Sequence, residues 1–215
     1  MRGVLIRHAE ADRDAAACAA IYAPAVQEGV ASLEERAPEP HEMAERIRVI
    51  SRHYPWLVAE IDGLVVGYAY AGRHRERASY RWTADCTVYV DSAHHRRGVG
   101  RALYGALLDL LRRQGVCTVC AGITLPNQAS VGLHEAMGFE PVGVYRDIAY
   151  KHGAWRSTGW WRRSLRAPGD DGPPPQLLGP QRLSDLQDAG PSPGEELRAA
   201  DGAASRAPRE RSPAA

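Results

Sequence analysis

Apolar positions recur with two periods along the first 166 residues, and the switch between them predicts the order of elements. Residues 4–7 read as a short strand, and the Ala-rich run 11–26 as a helix with Pro24 near its end. A second helix starts at Pro40 and carries Met43, Ile47 and Ile50 on one face, at steps of four and three. The apolar runs 56–61 and 64–71 are joined by Asp62-Gly63, a strong two-residue hairpin signal. Residues 83–90 alternate and end in Val88-Tyr89-Val90, after which a His/Arg loop meets Gly98 and Gly100. Leu103, Leu107, Leu110 and Leu111 then form the stripe of a third helix that Gly115 stops. A strand at 116–124, a helix at 128–137 ended by Gly138, and two strands at 142–149 and 155–165 complete the order β-α-α-β-β-β-α-β-α-β-β. The fold class is α/β.

Beyond Leu165 the chain changes character. Nine Pro and six Gly fall among residues 167–215, which predicts a disordered tail behind a folded domain of residues 1–166. Charge adds an exclusion: 27 Lys+Arg against 26 Asp+Glu leave +1. That balance argues against a nucleic-acid or membrane-surface partner, which needs a concentrated basic face. No run approaches the roughly 18 apolar residues of a membrane span, and Glu10, Asp12 and Asp14 come too early for a signal peptide. A cytoplasmic protein is expected. Four cysteines are too few for a disulfide scaffold, and Cys117 and Cys120 sit in an apolar strand without a second ligand pair. No metal is expected there. Neither the G-x-S-x-G elbow of a serine hydrolase nor the G-x-x-x-x-G-K-[ST] phosphate loop occurs.

The segment from Thr87 to Leu111 is the most informative, because a strand, a glycine loop and a helix expose backbone N–H groups at a helix N-terminus, a ready anion site. Gly98 and Gly100 let a pyrophosphate approach the main chain, with Arg96, Arg97 and Arg101 around it. A bare G-x-G is also a common structural turn. More specific is a set of ordered blocks: Tyr54-Pro55-Trp56-Leu57-Val58-Ala59-Glu60, Trp82-Thr83-Ala84, Thr87-Val88-Tyr89-Val90, Arg97-Gly98-Val99-Gly100, Leu125-Pro126-Asn127, His134-Glu135-Ala136 and Lys151-His152-Gly153. In these blocks residues 6–165 resemble the GNAT superfamily of N-acetyltransferases, and within it the phosphinothricin N-acetyltransferase branch. The resemblance implies a mixed, largely antiparallel sheet flanked by helices, and acetyl-CoA as co-substrate. Val88, Tyr89 and Val90 would bind the pantetheine arm, and His95, Arg96, Arg97, Gly98, Val99, Gly100 and Arg101 the pyrophosphate. Asn127 would contact the pantetheine side. His95 stands where the superfamily loop has Gln or Arg.

Acetyl transfer from a thioester to an amine needs a deprotonated amine, a polarised carbonyl and a proton for the departing thiolate. The resemblance implies that Asp85 occupies the place of the family's proposed general base, a glutamate, with one methylene fewer. On its own spacing Asp85 also reads as a polar strand residue. His134 would be the thiolate acid, where many relatives carry tyrosine, although a lone helical His is often structural. Arg77, Tyr80 and Trp82 would line the amine pocket, Arg77 facing an anionic group, whereas Arg75 and Arg81 read as solvated charge. The implied reaction moves acetyl onto the α-amine of a small amino-acid analogue of phosphinothricin or methionine-sulfone type, in a protein that is a homodimer like its family. The alternatives are an acyl-CoA sensor and an acetylase of protein N-termini or polyamines.

Overall fold

A computed structural model describes residues 3–167, 170 and 172–180. Seven strands, β1 (Leu5–His8), β2 (Trp56–Ile61), β3 (Leu64–Arg73), β4 (Thr83–Val90), β5 (Thr118–Leu125), β6 (Glu140–Lys151) and β7 (Ala154–Ser164), form one sheet ordered β1-β2-β3-β4-β5-β7-β6. Four helices, α1 (Ala11–Gln27), α2 (Pro40–Ser51), α3 (Val99–Gln114) and α4 (Gln128–Ala136), complete the domain in the order expected from the hydrophobic pattern. The α/β class and the largely antiparallel sheet hold, since β4 with β5 is the one parallel pair among the described strands.

Local chemistry explains the boundaries. Pro40 opens α2 behind a reciprocal cap in which Glu42 accepts from the Glu39 N–H at 2.7 Å. Asp62 and Gly63, both at positive φ, make the β2–β3 turn. Gly115, with φ +94°, terminates α3, its N–H donating to the Arg112 carbonyl. One face of the sheet packs Trp56, Val58 and Tyr68 under Cys18, Val26, Met43 and Ile47 of α1 and α2. The α3 leucines Leu103, Leu107, Leu110 and Leu111 are fully buried. Near the β1 edge, Asp14 is 1% exposed and receives both Arg7 guanidinium nitrogens at 2.7 and 2.8 Å. Burial would raise that carboxyl, but the paired guanidinium holds it below its ordinary value.

The stretch 172–180 of the proline-rich tail lies against the domain. The Trp82 indole N–H donates to the Pro175 carbonyl at 2.8 Å, and the Leu178 N–H to the Gln114 carbonyl at 2.8 Å. Three consecutive prolines limit the chain entropy lost on docking, which a count of Pro and Gly overlooks. Apart from residues 167 and 170, the rest of that tail lies outside the described residues.

Candidate functional site

Two parallel strands that part company make the site. β4 and β5 pair only from Thr83 with Thr118 to Asp85 with Cys120. Beyond that point a cavity of about 390 Å³ opens, lined by Cys86 to Val90 of β4, Gly122 to Thr124 of β5, and Asn127, Ser130 and His134 around α4. Val88, Tyr89, Val90 and Asn127 therefore share one cleft, and His95 reaches its rim. Tyr89 is also a wall of the core, edge-on to Tyr22 with ring centroids 4.8 Å apart. Asn127 caps α4 by accepting from the Ser130 N–H at 3.1 Å.

At the cleft's rim His95 donates Nε2–H to the Val90 carbonyl at 2.9 Å, and Arg96 and Gly98 turn the chain at φ 57° and 82° into α3. The first-turn N–H groups of Val99, Gly100 and Arg101 have no carbonyl ahead of them in the helix. The Arg96, Arg97 and Arg101 side chains are exposed around that end. Such donors and charge fit the pyrophosphate of coenzyme A. Gly100 also has a packing role. A Cβ there would meet Leu133 Cδ2 at 3.1 Å, so this glycine lets α3 and α4 pack closely, while Gly98 is demanded by its left-handed conformation.

Asp85 stands at the last parallel pair, where the cavity begins. Burial pushes its carboxyl above the ordinary value, against the pull of the His74 imidazole and of Arg75. His74 Nδ1 lies 2.6 Å from Asp85 Oδ1. Donor atoms of His74, Asp85 and Cys120 all fall within 4.8 Å of one another, a mixed set that zinc accepts. A metal bound at about 2.0–2.1 Å from each would hold the nitrogen and oxygen roughly 3.3 Å apart, so the 2.6 Å contact is a direct hydrogen bond. The Cys120 thiol, pushed up to about 11 by burial, is neutral at physiological pH.

His134 is 3% exposed and saturated: Nδ1–H donates to the Ser130 carbonyl at 2.7 Å, leaving Nε2 to accept from the Tyr104 hydroxyl at 2.9 Å. Burial holds its pKa below the ordinary 6.5, so the ring is neutral.

The three residues expected around the amine have different neighbours. Tyr80 packs beside His74, ring centroids 5.8 Å apart. Arg77 lines a second cavity, of about 700 Å³, with Arg52, Arg73, Arg75 and Arg81. Trp82 is occupied by Pro175 and by the Arg81 guanidinium stacked 3.8 Å above its ring. Sequence reasoning missed His74 and Tyr104. The β3–β4 register held a usable signal: Gly72 pairs with Asp85, which puts His74, two residues on, diagonally across the same face. It also passed over what Lys151 does: its buried ammonium donates to the Val26 and Ser32 carbonyls, both at 2.7 Å, and so ties the end of β6 to the last turn of α1 and the loop after it.

Residues 6–160 match the acetyltransferase (GNAT) domain family. The chain is 41% identical over 167 residues to a phosphinothricin N-acetyltransferase of Streptomyces viridochromogenes, covering 78% of this chain and 91% of that one. It is 40% identical over 161 residues to one of Alcaligenes faecalis, covering 73% and 80%. Among solved structures it resembles a GNAT phosphinothricin acetyltransferase from Sinorhizobium meliloti in complex with acetyl-CoA, with a TM-score of 0.76, 34% identity, and coverage of 82% and 95%. With the parted strands and the glycine loop at the head of α3, these matches make the chain a member of the GNAT acetyltransferase family and an acetyl-CoA-dependent N-acetyltransferase.

Proposed function

We propose that this protein acetylates the α-amine of a small amino-acid analogue bearing an anionic or strongly polar end, of phosphinothricin or methionine-sulfone type. The observation that carries the reading is the half-buried Asp85 carboxylate at the last parallel pair of β4 and β5, one residue before Cys86, where the lining of the cleft starts. Acetyl-CoA, when bound, supplies the activated acetyl group. The chain's own residues do the rest. N–H groups at the head of α3 hold the pyrophosphate, Val88 to Val90 offer an unpaired strand edge to the amide-bearing arm, and the Asp85 carboxylate supplies the negative charge that removal of the ammonium proton needs. Arginines 75 and 77, both exposed on the segment before β4, attract the acceptor's anionic end. His134, neutral and doubly engaged, keeps Tyr104 and α4 in place.

Thiol release from acetyl-CoA over a panel of amines tests this reading. Phosphinothricin and methionine sulfone are expected to be turned over with higher kcat/KM than peptides with free N-termini or polyamines. Preference for either of those latter classes, or none for any amine, contradicts it. Asp85→Asn keeps the shape and removes the basicity, and kcat/KM is expected to fall by roughly two to four orders of magnitude. A near wild-type rate between pH 6 and 9 would place the base elsewhere.

A second copy of the chain is the proposed partner. β6 is the sheet edge, and Val142, Ile148, Tyr150 and Trp155 on the β6–β7 hairpin are 55–62% exposed. Light scattering is expected to report a dimer that Ile148→Asp weakens. A monomer at micromolar concentration contradicts it.

A further inference from the structure

We propose that the atom receiving the ammonium proton is Nε2 of His74, with Asp85 behind it as the group that fixes its tautomer. This rests on the acetyl-transfer reading above. A carboxylate can only accept a hydrogen bond, so the 2.6 Å contact between Asp85 Oδ1 and His74 Nδ1 puts the ring's proton on Nδ1. In the neutral ring Nε2 then carries the lone pair. Among the described residues no hydrogen bond engages Nε2, whereas both nitrogens of His134 are taken. The ring is also held in place: Tyr80 packs on one side and Trp160 meets it edge-on at 6.1 Å and 84°. An imidazole hydrogen-bonded to the carboxylate extends the reach of the short Asp85 side chain by one ring.

The charged and titratable neighbours are compatible with the role. Arg75, from the segment before β4, stabilises the carboxylate. Tyr54, facing Asp85 from beyond α2, and Cys120 on β5 are both pushed up by burial and so stay neutral. Arg162 of β7 acts on Cys120. In the step itself one ammonium proton passes to Nε2, and the freed amine lone pair attacks the acetyl carbonyl carbon. The N–C bond forms, the C–S bond breaks, and its electron pair leaves with sulfur. The second nitrogen proton ends on the thiolate. The imidazolium, stabilised by Asp85, returns its own proton to water, so the reaction releases one proton overall.

His74→Asn is the decisive variant, because the Asn amide can still donate to Asp85 where Nδ1 did but offers nothing where Nε2 was. With phosphinothricin as acceptor, kcat/KM is expected to fall by roughly 10²–10⁴-fold. The acid-side limb of its pH profile should disappear, with acetyl-CoA affinity unchanged by calorimetry. Added imidazole should restore part of the rate to His74→Ala. Nitrogen NMR of the wild type should find the neutral His74 ring protonated at Nδ1. A His74→Asn enzyme that keeps the wild-type rate and acid limb, while Asp85→Asn loses both, would make Asp85 the acceptor and overturn the proposal. So would a neutral ring protonated at Nε2. If the wild type releases no thiol with any small amine, the acetyl-transfer reading fails, and this proposal with it.

Discussion

Two histidines show how neighbours, and not residue type, set a role. Among the described residues His74 has one nitrogen bound by a carboxylate and one unengaged, while His134 is buried with both nitrogens bonded. The second arrangement has a consequence for stability. His134 has its pKa lowered by burial, so the folded state binds fewer protons than the unfolded chain. The stability it confers is complete above about 6.5, the ordinary value, and is lost as pH falls from there through the folded pKa. His134→Phe keeps a ring against Phe139 and gives up the bonds to Ser130 and Tyr104. It is expected to be less stable than wild type at pH 8 by about 1–3 kcal/mol, with the gap closing as pH falls below about 6.5. A gap that widens on acidification would mean that the ring is charged in the fold. From the sequence His134 was a candidate acid, because nothing in a helix pattern reveals that a tyrosine thirty positions earlier will cap its free nitrogen.

At the scale of elements the site depends on how α3 and α4 close over the parted strands. Gly100 permits that closure, since a Cβ there meets Leu133 at 3.1 Å, and Gly98 starts α3 from φ +82° with open space around it. The two glycines should therefore separate experimentally. Gly100→Val is expected to lower stability by about 1–3 kcal/mol through overpacking and to raise the acetyl-CoA KM as α4 shifts. Gly98→Ala meets no neighbour and is expected to cost about 1 kcal/mol through its backbone, with its main effect on acetyl-CoA KM. Thermal melts alongside KM measurements check both, and equal behaviour of the two variants would contradict the division. The element order was legible because each helix stripe and strand alternation is local. The surroundings of Arg77, Tyr80 and Trp82 were not, since the cavity wall, the His74 ring and the Pro175 carbonyl that they meet belong to other segments.

For the molecule as a whole, the described residues contain no helix long and apolar enough to cross a membrane. The domain also continues past its last strand. Residues 172–180 lie against Trp82 and the end of α3, and a Cβ on Gly115 would meet the Gln176 carbonyl at 2.8 Å. Ending the chain after Ala167 is expected to lower Tm by several degrees relative to ending it after Pro180, because two hydrogen bonds and the cover over Trp82 are lost. Identical melts would show that the segment adds nothing. Composition did not reveal these contacts, because proline-rich sequence signals poor core-forming capacity without excluding an extended chain laid on a surface that others have built. The claim on which the rest hangs is that the acetyl group leaves coenzyme A for the α-nitrogen of a small amino acid at this cleft. It is tested most directly by following acetyl-CoA labelled with carbon-13 at the carbonyl by NMR in the presence of phosphinothricin and catalytic enzyme. The thioester signal is expected to decay as an amide signal on the α-nitrogen grows in equal amount; label that stays on the thioester, or ends in acetate, would contradict the account.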